Sequence, residues 1–255
     1  MEITVNGLKT NYQTFPASPA GGGEGTPFLI LHGWGSKIDR WSLVAEKIAE
    51  KGYKVIVPDL PGFGDSSALP GTWNNNNYMK WAEDFIKEIN LTEFYLAGHS
   101  FGGALAVKLA IKHPQDVKKL FLIAAASVRP KTTQKKVLKN IAKIVNKFSF
   151  LPFYGLFRKA FYKFIIRKSD YMHVDNSMKE TYKNVISEDL AQFTGFIRTP
   201  TIIIWGDKDN ATPIEDAHFM SKKIKNAKLV IINGAGHALN KECPELLAEK
   251  IINNI

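Results

Sequence analysis

The chain has 255 residues, of which 45% are apolar and 23% are charged, as in ordinary globular proteins. No apolar run approaches the ~20 residues that a membrane-spanning helix needs, so the sequence excludes a transmembrane segment. The formal charge of +10 is unevenly placed, because residues 128–198 hold 15 Lys and Arg against 5 Asp and Glu while the rest is balanced.

The amino terminus and the cysteine content bear on the compartment. The first residues, MEITVNGLKT, lack the charged start and apolar stretch of a secretory signal. A single cysteine, Cys243, excludes an intramolecular disulfide and fits a reducing compartment. We therefore expect a cytoplasmic protein.

Eight runs of strand-forming residues follow one another along the chain. They are Glu2–Val5, Thr10–Phe15, Phe28–Leu31, Val55–Val57, Phe94–Ala97, Leu120–Ala124, Thr201–Trp205 and Leu229–Ile232. The turn at Asn6-Gly7 favours an antiparallel hairpin of the first two. The later runs are short and continuously apolar, which is typical of strands covered on both faces.

Helical patterns alternate with these strands. They occupy Leu43–Glu50, Tyr78–Ile89 and Phe101–Lys112. Strands and helices in alternation indicate the α/β class, here a mostly parallel eight-stranded sheet flanked by helices.

The basic segment 128–198 lies between the sixth and seventh strands and is too long for a simple crossover. Apolar residues recur in it at helical spacing, with lysines between them: Val137, Ile141, Ile144, Val145 and Phe148. We therefore predict a helical cap at 128–198, inserted into a core domain made of residues 1–127 and 199–255.

Ser100 is the candidate nucleophile. It is the centre of Gly98-His99-Ser100-Phe101-Gly102, a G-x-S-x-G sequence that follows a predicted strand and precedes a predicted helix. A sharp strand-to-helix turn of this kind is crowded, needs small residues and projects the serine oxygen out of the sheet.

A serine hydroxyl needs a base to take its proton and an acid to orient that base. His237 and Asp209 both follow the carboxyl ends of predicted strands, where open α/β sheets place their sites. The order Ser, acid, His along the chain fits this arrangement. Asp207 is the alternative acid, although Asp209 is favoured.

Two backbone amides are expected to stabilise a developing oxyanion. One is the amide of Phe101, the residue after the nucleophile, and the other is that of Trp34 in His32-Gly33-Trp34-Gly35. His32 and Gly33 are counted with the substrate-binding candidates, although hydrogen-bonded support of this loop is the favoured role of His32.

With these motifs the chain resembles the α/β-hydrolase superfamily, in its small capped esterase and C–C hydrolase branch. The resembling pieces are His32–Gly35, Pro58–Ser66, Gly98–Gly103, Trp205–Asp209 with Pro213, and Gly236–His237. The resemblance implies a cap over the three catalytic residues, and a substrate with an ester-like or activated carbonyl.

Other chemistries of the superfamily fit the sequence less well. Haloalkane dehalogenases and epoxide hydrolases require a carboxylate where Ser100 stands. C–C hydrolases often carry a tryptophan after the catalytic histidine, where this chain has Ala238. A perhydrolase shares the serine triad and is not separated by sequence.

The predicted cap is rich in aromatic residues as well as lysines. Phe150, Phe153 and Phe157 are its candidate substrate-binding residues, although packing within the cap would explain such aromatics equally well. The lysines suit a solvated helix face, a field for anionic substrates or peripheral contact with an anionic membrane. No nucleic-acid-binding module accompanies the charge.

The sequence thus predicts a carboxylic ester hydrolase, with lactones as further substrates because a lactone is an internal ester. We expect a small-molecule ester as substrate, no metal, no organic cofactor, no nucleic-acid partner, and a monomer or homodimer. A noncatalytic small-molecule receptor on the same fold is the rival from another class.

Overall fold

The computed structural model describes residues 1–23, 25–128 and 178–255. Its centre is an eight-stranded sheet in the order β1-β2-β4-β3-β5-β6-β7-β8. The strands are β1 (Glu2–Val5), β2 (Leu8–Phe15), β3 (Pro27–Leu31), β4 (Lys54–Pro58), β5 (Phe94–His99), β6 (Val117–Ile123), β7 (Thr201–Gly206) and β8 (Ala227–Ile232). The β1/β2 and β2/β4 pairs are antiparallel, and every other pair is parallel.

Helices cover both faces of this sheet. They are α1 (Ser42–Ala49), α2 (Asn75–Glu88), α3 (Phe101–Lys112), α4 (Lys179–Ser187), α5 (Ile214–Lys223), α6 (Leu239–Glu242) and α7 (Pro244–Ile252), with 3₁₀ turns at Ile38–Arg40 and Ala191–Phe196. The predicted α/β fold with a mostly parallel eight-stranded sheet is therefore confirmed.

Two apolar cores form because successive strand residues point to opposite faces. In β3, Leu29 and Leu31 pack with α2, α3 and α5 on one face. Phe28 and Ile30 pack with α1 and α7 on the other. Both faces of the parallel strands are buried, and the carboxyl ends of the strands are left to carry polar groups.

Several observed elements begin earlier than predicted, among them β2 at Leu8 and β8 at Ala227, and two of these differences have clear local reasons. Helix α2 begins at Asn75, three residues before its first apolar residue, because the Asn74 side chain accepts from the amides of Asn76 and Asn77 and caps the helix. Strand β6 begins at Val117 and includes Lys118 and Lys119, whose polarity hides its first residues from the apolar pattern.

The predicted cap lies mostly outside the described residues, since 129–177 are not among them, so its boundaries stay a prediction. Its described end contains α4 and the 3₁₀ turn at Ala191–Phe196. Within the described parts of the chain, none of the helices has the length and apolar character needed to cross a membrane.

Candidate active site

Ser100 lies on a strained turn between β5 and α3. Its backbone has a φ of 51°, in the left-handed region that side-chain-bearing residues rarely adopt. The turn is crowded, because a Cβ on Gly98 would come 2.4 Å from the Gly102 carbonyl oxygen and one on Gly102 would come 2.1 Å from the Leu31 oxygen. Glycine at these two positions lets the serine be presented at the sheet edge.

His237 and Asp209 complete a hydrogen-bonded row with Ser100. His237 Nε2 is 3.0 Å from Ser100 Oγ, and His237 Nδ1 is 2.8 Å from Asp209 Oδ2. Asp209 follows β7 and His237 follows β8. The structure therefore brings together three residues that the sequence places up to 137 positions apart.

Asp209 is held in one orientation by its own loop. Its Oδ1 accepts from the amides of Ala211 and Thr212 at 2.8 and 2.9 Å, and its Oδ2 accepts from the Thr212 hydroxyl at 2.7 Å. Burial alone would raise the pKa of Asp209, but the hydrogen bonds from His237 and Thr212 and the charge of His237 outweigh burial and lower it. The carboxylate therefore stays ionised at neutral pH.

Asp207, the alternative acid, has a different position. Its Oδ1 accepts from the Gly234 amide at 2.6 Å and joins the loops after β7 and β8. Its other oxygen is 3.7 Å from Lys208 Nζ. Asp209, and not Asp207, is the carboxylate that contacts His237.

The Gly33-Trp34 loop runs directly against the serine. A Cβ added to Gly33 would lie 3.2 Å from Ser100 Cβ and 2.8 Å from His99 Nδ1. Within the described residues, the amides of Trp34 and Phe101 donate no internal hydrogen bond. Their part in binding an oxyanion stays a prediction.

His32 supports this loop from behind, in the role that the sequence favours for it. The side chain is fully buried, its Nδ1 is 2.8 Å from the Gly33 carbonyl oxygen, and its Nε2 accepts from the Leu60 amide at 3.0 Å. Burial lowers the pKa of His32, and the neutral ring then donates through Nδ1 and accepts through Nε2. Gly33, by contrast, lines the pocket beside Ser100.

His99 is a residue of the site that the sequence pattern does not reveal. Its Nε2 is 2.9 Å from the His237 carbonyl oxygen, and its buried Nδ1 has no partner among the described residues. Burial, then the neighbouring charge of His237, lowers the pKa of His99 to about 3. The ring is therefore neutral at ordinary pH and donates through Nε2 to the loop that carries His237.

Three aromatic rings pack around Trp34, which lines the cavity beside Ser100. Trp34 packs edge-on against Phe63, Phe101 and Tyr182, with ring centroids 4.9, 5.7 and 5.1 Å away. Tyr182 belongs to α4, so the described end of the predicted cap reaches the oxyanion loop. The cap candidates Phe150, Phe153 and Phe157 lie outside the described residues.

A cavity of about 220 Å³ opens beside the serine. Its wall includes Trp34, Ser36, Arg40, Ser100, His237 and Lys241. Across the described ranges, His, Cys, Asp and Glu side chains form no group of three that could hold a metal ion.

The chain is similar to known hydrolases. A family model for the alpha/beta hydrolase fold matches residues 26–152 and 179–244. Lipase 3 of Moraxella sp. (strain TA144) is 27% identical over 230 residues, covering 84% of this chain and 72% of that protein. The 2-hydroxymuconate semialdehyde hydrolase of Pseudomonas sp. (strain CF600) is 33% identical over 131 residues, covering 50% of this chain and 44% of that protein.

Among solved structures, a membrane phospholipase A described as a bacterial virulence factor superimposes with a TM-score of 0.76. It is 25% identical and covers 99% of this chain and 84% of its own. The chain therefore belongs to the alpha/beta hydrolase fold family. Lipases, esterases and C–C hydrolases are all found among its relatives, which supports hydrolase activity.

Proposed function

We propose that this protein hydrolyses carboxylic esters through an acyl intermediate on Ser100. The observation that carries the proposal is the row of contacts from Ser100 Oγ to His237 Nε2, at 3.0 Å, and from His237 Nδ1 to Asp209 Oδ2, at 2.8 Å. This geometry suits a nucleophile, a base and an acid that holds the base in one tautomer.

Acylation begins when Ser100 Oγ attacks the ester carbonyl carbon and His237 Nε2 takes the hydroxyl proton. The carbonyl oxygen becomes an oxyanion that accepts from the amides of Trp34 and Phe101. The tetrahedral intermediate then collapses, the bond to the alcohol oxygen breaks, and His237 returns its proton to that oxygen. Asp209 stabilises the positive charge on His237 in between.

Deacylation repeats these steps with water in place of the serine. His237 takes a proton from the water as the water oxygen attacks the acyl carbon, and the same two amides stabilise the second oxyanion. Collapse breaks the bond to Ser100 Oγ, which takes the proton back. The products are the carboxylic acid and free Ser100, and no residue changes its oxidation state.

An apolar acyl group is the proposed substrate part on the aromatic side of the site. The Trp34 ring lines the cavity beside Ser100 and is backed by Phe63 and Phe101, and pockets for such ligands are mostly apolar with a few placed polar groups. The likeness to Lipase 3 and to the phospholipase A structure supports an acyl ester over a sugar substrate. Lactones fit the same chemistry.

The test is hydrolysis of 4-nitrophenyl esters from acetate to laurate by wild type and Ser100→Ala. Removal of the nucleophile should lower kcat by about 10⁴-fold or more, and the optimum acyl length should exceed that of acetate. A variant Ser221→Ala, which removes a hydroxyl at the surface of α5, is the matched control and should keep wild-type turnover. Equal rates in wild type and S100A would overturn the proposal.

C–C hydrolysis is the second candidate, favoured by the likeness to 2-hydroxymuconate semialdehyde hydrolase. Ala238, where those enzymes often carry tryptophan, opposes it. Assay of a 2-hydroxy-6-oxohexadienoate ring-cleavage product beside the esters decides between the two. Faster turnover of the ring-cleavage product would replace the ester assignment, and saturable ligand binding without turnover of either would favour a receptor.

A further inference from the structure

Two positively charged residues line the cavity beside Ser100. Arg40 and Lys241 line this cavity together with Ser100 and His237. Both side chains are exposed, and neither forms an ion pair within the described ranges 1–23, 25–128 and 178–255. Cations that the protein itself does not neutralise can attract a negative group to the cavity.

The elements that carry these two cations are joined to each other. The Arg40 carbonyl, at the end of the 3₁₀ turn, accepts from Asn240 Nδ2 at 3.0 Å, and Lys241 is the next residue after Asn240. The other end of the turn is fixed where the Ile38 amide donates to Asp59 Oδ1 at 2.9 Å. The fold thus sets both backbones in relation to the serine.

The carboxylates next to Lys241 and Arg40 in sequence bind other groups. Glu242, the neighbour of Lys241, accepts from the amides of Gly236 and Ala238 at 2.5 and 3.1 Å. Asp39, the neighbour of Arg40, pairs with Lys37. The cavity wall is therefore left with two cationic groups whose closest acidic neighbours in sequence contact other partners.

The position of Lys241 indicates which part of the substrate the cations face. In the proposed reaction His237 returns its proton to the leaving oxygen, so the alcohol portion lies beside His237. Ala238, Asn240 and Lys241 continue from that residue and line the same cavity. The alcohol side of the ester would therefore share with Arg40 and Lys241 the part of the cavity that follows His237, while the acyl group contacts Trp34 in the same cavity.

We propose that the substrate carries a negative charge on its alcohol portion, and that Arg40 and Lys241 bind this group. The inference rests on the proposed ester hydrolysis and deepens it by naming a substrate class. The substrate would combine an apolar acyl group with an anionic alcohol.

A pair of probes with the same acyl group and a similar nitrophenol tests this. The anionic probe is 3-butyryloxy-4-nitrobenzoate, and the neutral one is 2-nitrophenyl butyrate. In R40Q/K241Q the ratio of kcat/KM for anionic over neutral ester should fall about 3- to 10-fold, the effect of two exposed ion pairs. The change should lie mainly in KM, and added salt should lower the wild-type ratio.

The matched control is K51Q/K54Q, which removes two exposed charges at the opposite, amino-terminal edge of the parallel strands. It should keep the wild-type ratio. A ratio that R40Q/K241Q leaves unchanged, or that both double variants lower equally, would overturn the inference. A second pair of esters, mono-4-nitrophenyl adipate and 4-nitrophenyl hexanoate, places the negative charge on the acyl portion. If R40Q/K241Q lowered the ratio of kcat/KM for anionic over neutral ester only with this second pair, the inference would also be overturned.

Failure of the inference is distinguishable from failure of the proposed function. Turnover of the neutral butyrate that depends on Ser100 supports ester hydrolysis whatever the charge ratio. Absence of turnover with both probes in wild type would contradict ester hydrolysis, and the inference about the alcohol portion would fall with it.

Discussion

Two groups of residues meet at the same cavity but differ in how firmly their side chains are held. One is the hydrogen-bonded row of Ser100, His237 and Asp209, and the other is the pair of cations Arg40 and Lys241. Asp209 is buried and accepts four hydrogen bonds from His237, Thr212 and Ala211. Arg40 and Lys241 are exposed and have only their backbones fixed. The fold therefore determines the reacting geometry closely, while selectivity rests on side chains that can change without disturbing the sheet.

Among the residues that support His237, substitution of Asp209 should lower turnover most. Asp209→Asn should lower kcat by about 10³- to 10⁴-fold, because an amide no longer holds His237 in the tautomer that accepts the serine proton. The measurement is turnover of 4-nitrophenyl butyrate, with folding checked by thermal unfolding.

Asp207→Asn is the matched control. The amide oxygen that this substitution introduces can still accept from the Gly234 amide, so kcat should stay within about twofold of wild type. If D207N lost as much activity as D209N, the assignment of the acid would be wrong.

The sequence could predict the three residues of the row because each of them follows a strand. Ser100, Asp209 and His237 each follow an apolar run, and parallel strands bring their carboxyl ends to one edge. The contacts of His99 with His237 and of Asn240 with Arg40 join residues 138 and 200 positions apart. No local pattern signals them, because they depend on how the loops pack after the sheet has formed.

The hydrogen-bond partners of side chains in loops are also not predicted by the sequence. Thr212, three residues after Asp209, donates to its carboxylate, but a threonine in a loop has many other uses. The sequence favours a supporting role for His32 but does not identify its partners, which are the Gly33 carbonyl and the Leu60 amide. The direction of a side chain in a loop does not follow from spacing.

A medium effect is expected from the hydroxyl that braces Asp209. Thr212→Val should lower kcat by about tenfold, the cost of one charge-assisted hydrogen bond, while the two backbone amides still orient the carboxylate. Thr199→Val is the control, since the Thr199 hydroxyl is buried and has no partner among the described residues. Unchanged kcat in T212V would show that the amides alone suffice.

A separate expected effect concerns stability in acid and not turnover. Burial holds the pKa of His99 at about 3, below its ordinary value of 6.5, so the unfolded state binds more protons between these pH values. Stability should therefore fall as pH decreases from about 6.5 toward 3, with His99 contributing at most about 1.4 kcal/mol per pH unit. His99→Gln, which keeps a donor for His237, should flatten this slope.

Urea unfolding at several pH values measures the slope, with His218→Gln as the control for loss of an exposed histidine. Asp209 acts in the same direction only in stronger acid, because its lowered pKa means that its stabilisation is lost as pH falls through the folded-state value. A slope in H99Q equal to that of wild type would refute the role given to His99.

The covalent bond to the nucleophile can be located with a probe that reacts with activated serines. Wild type treated with an alkyl fluorophosphonate should gain one adduct mass, and peptide mapping should place it on Ser100, with labelling much slower in D209N and absent in S100A. An adduct on another residue, or equal labelling of S100A, would show that Ser100 is not the nucleophile.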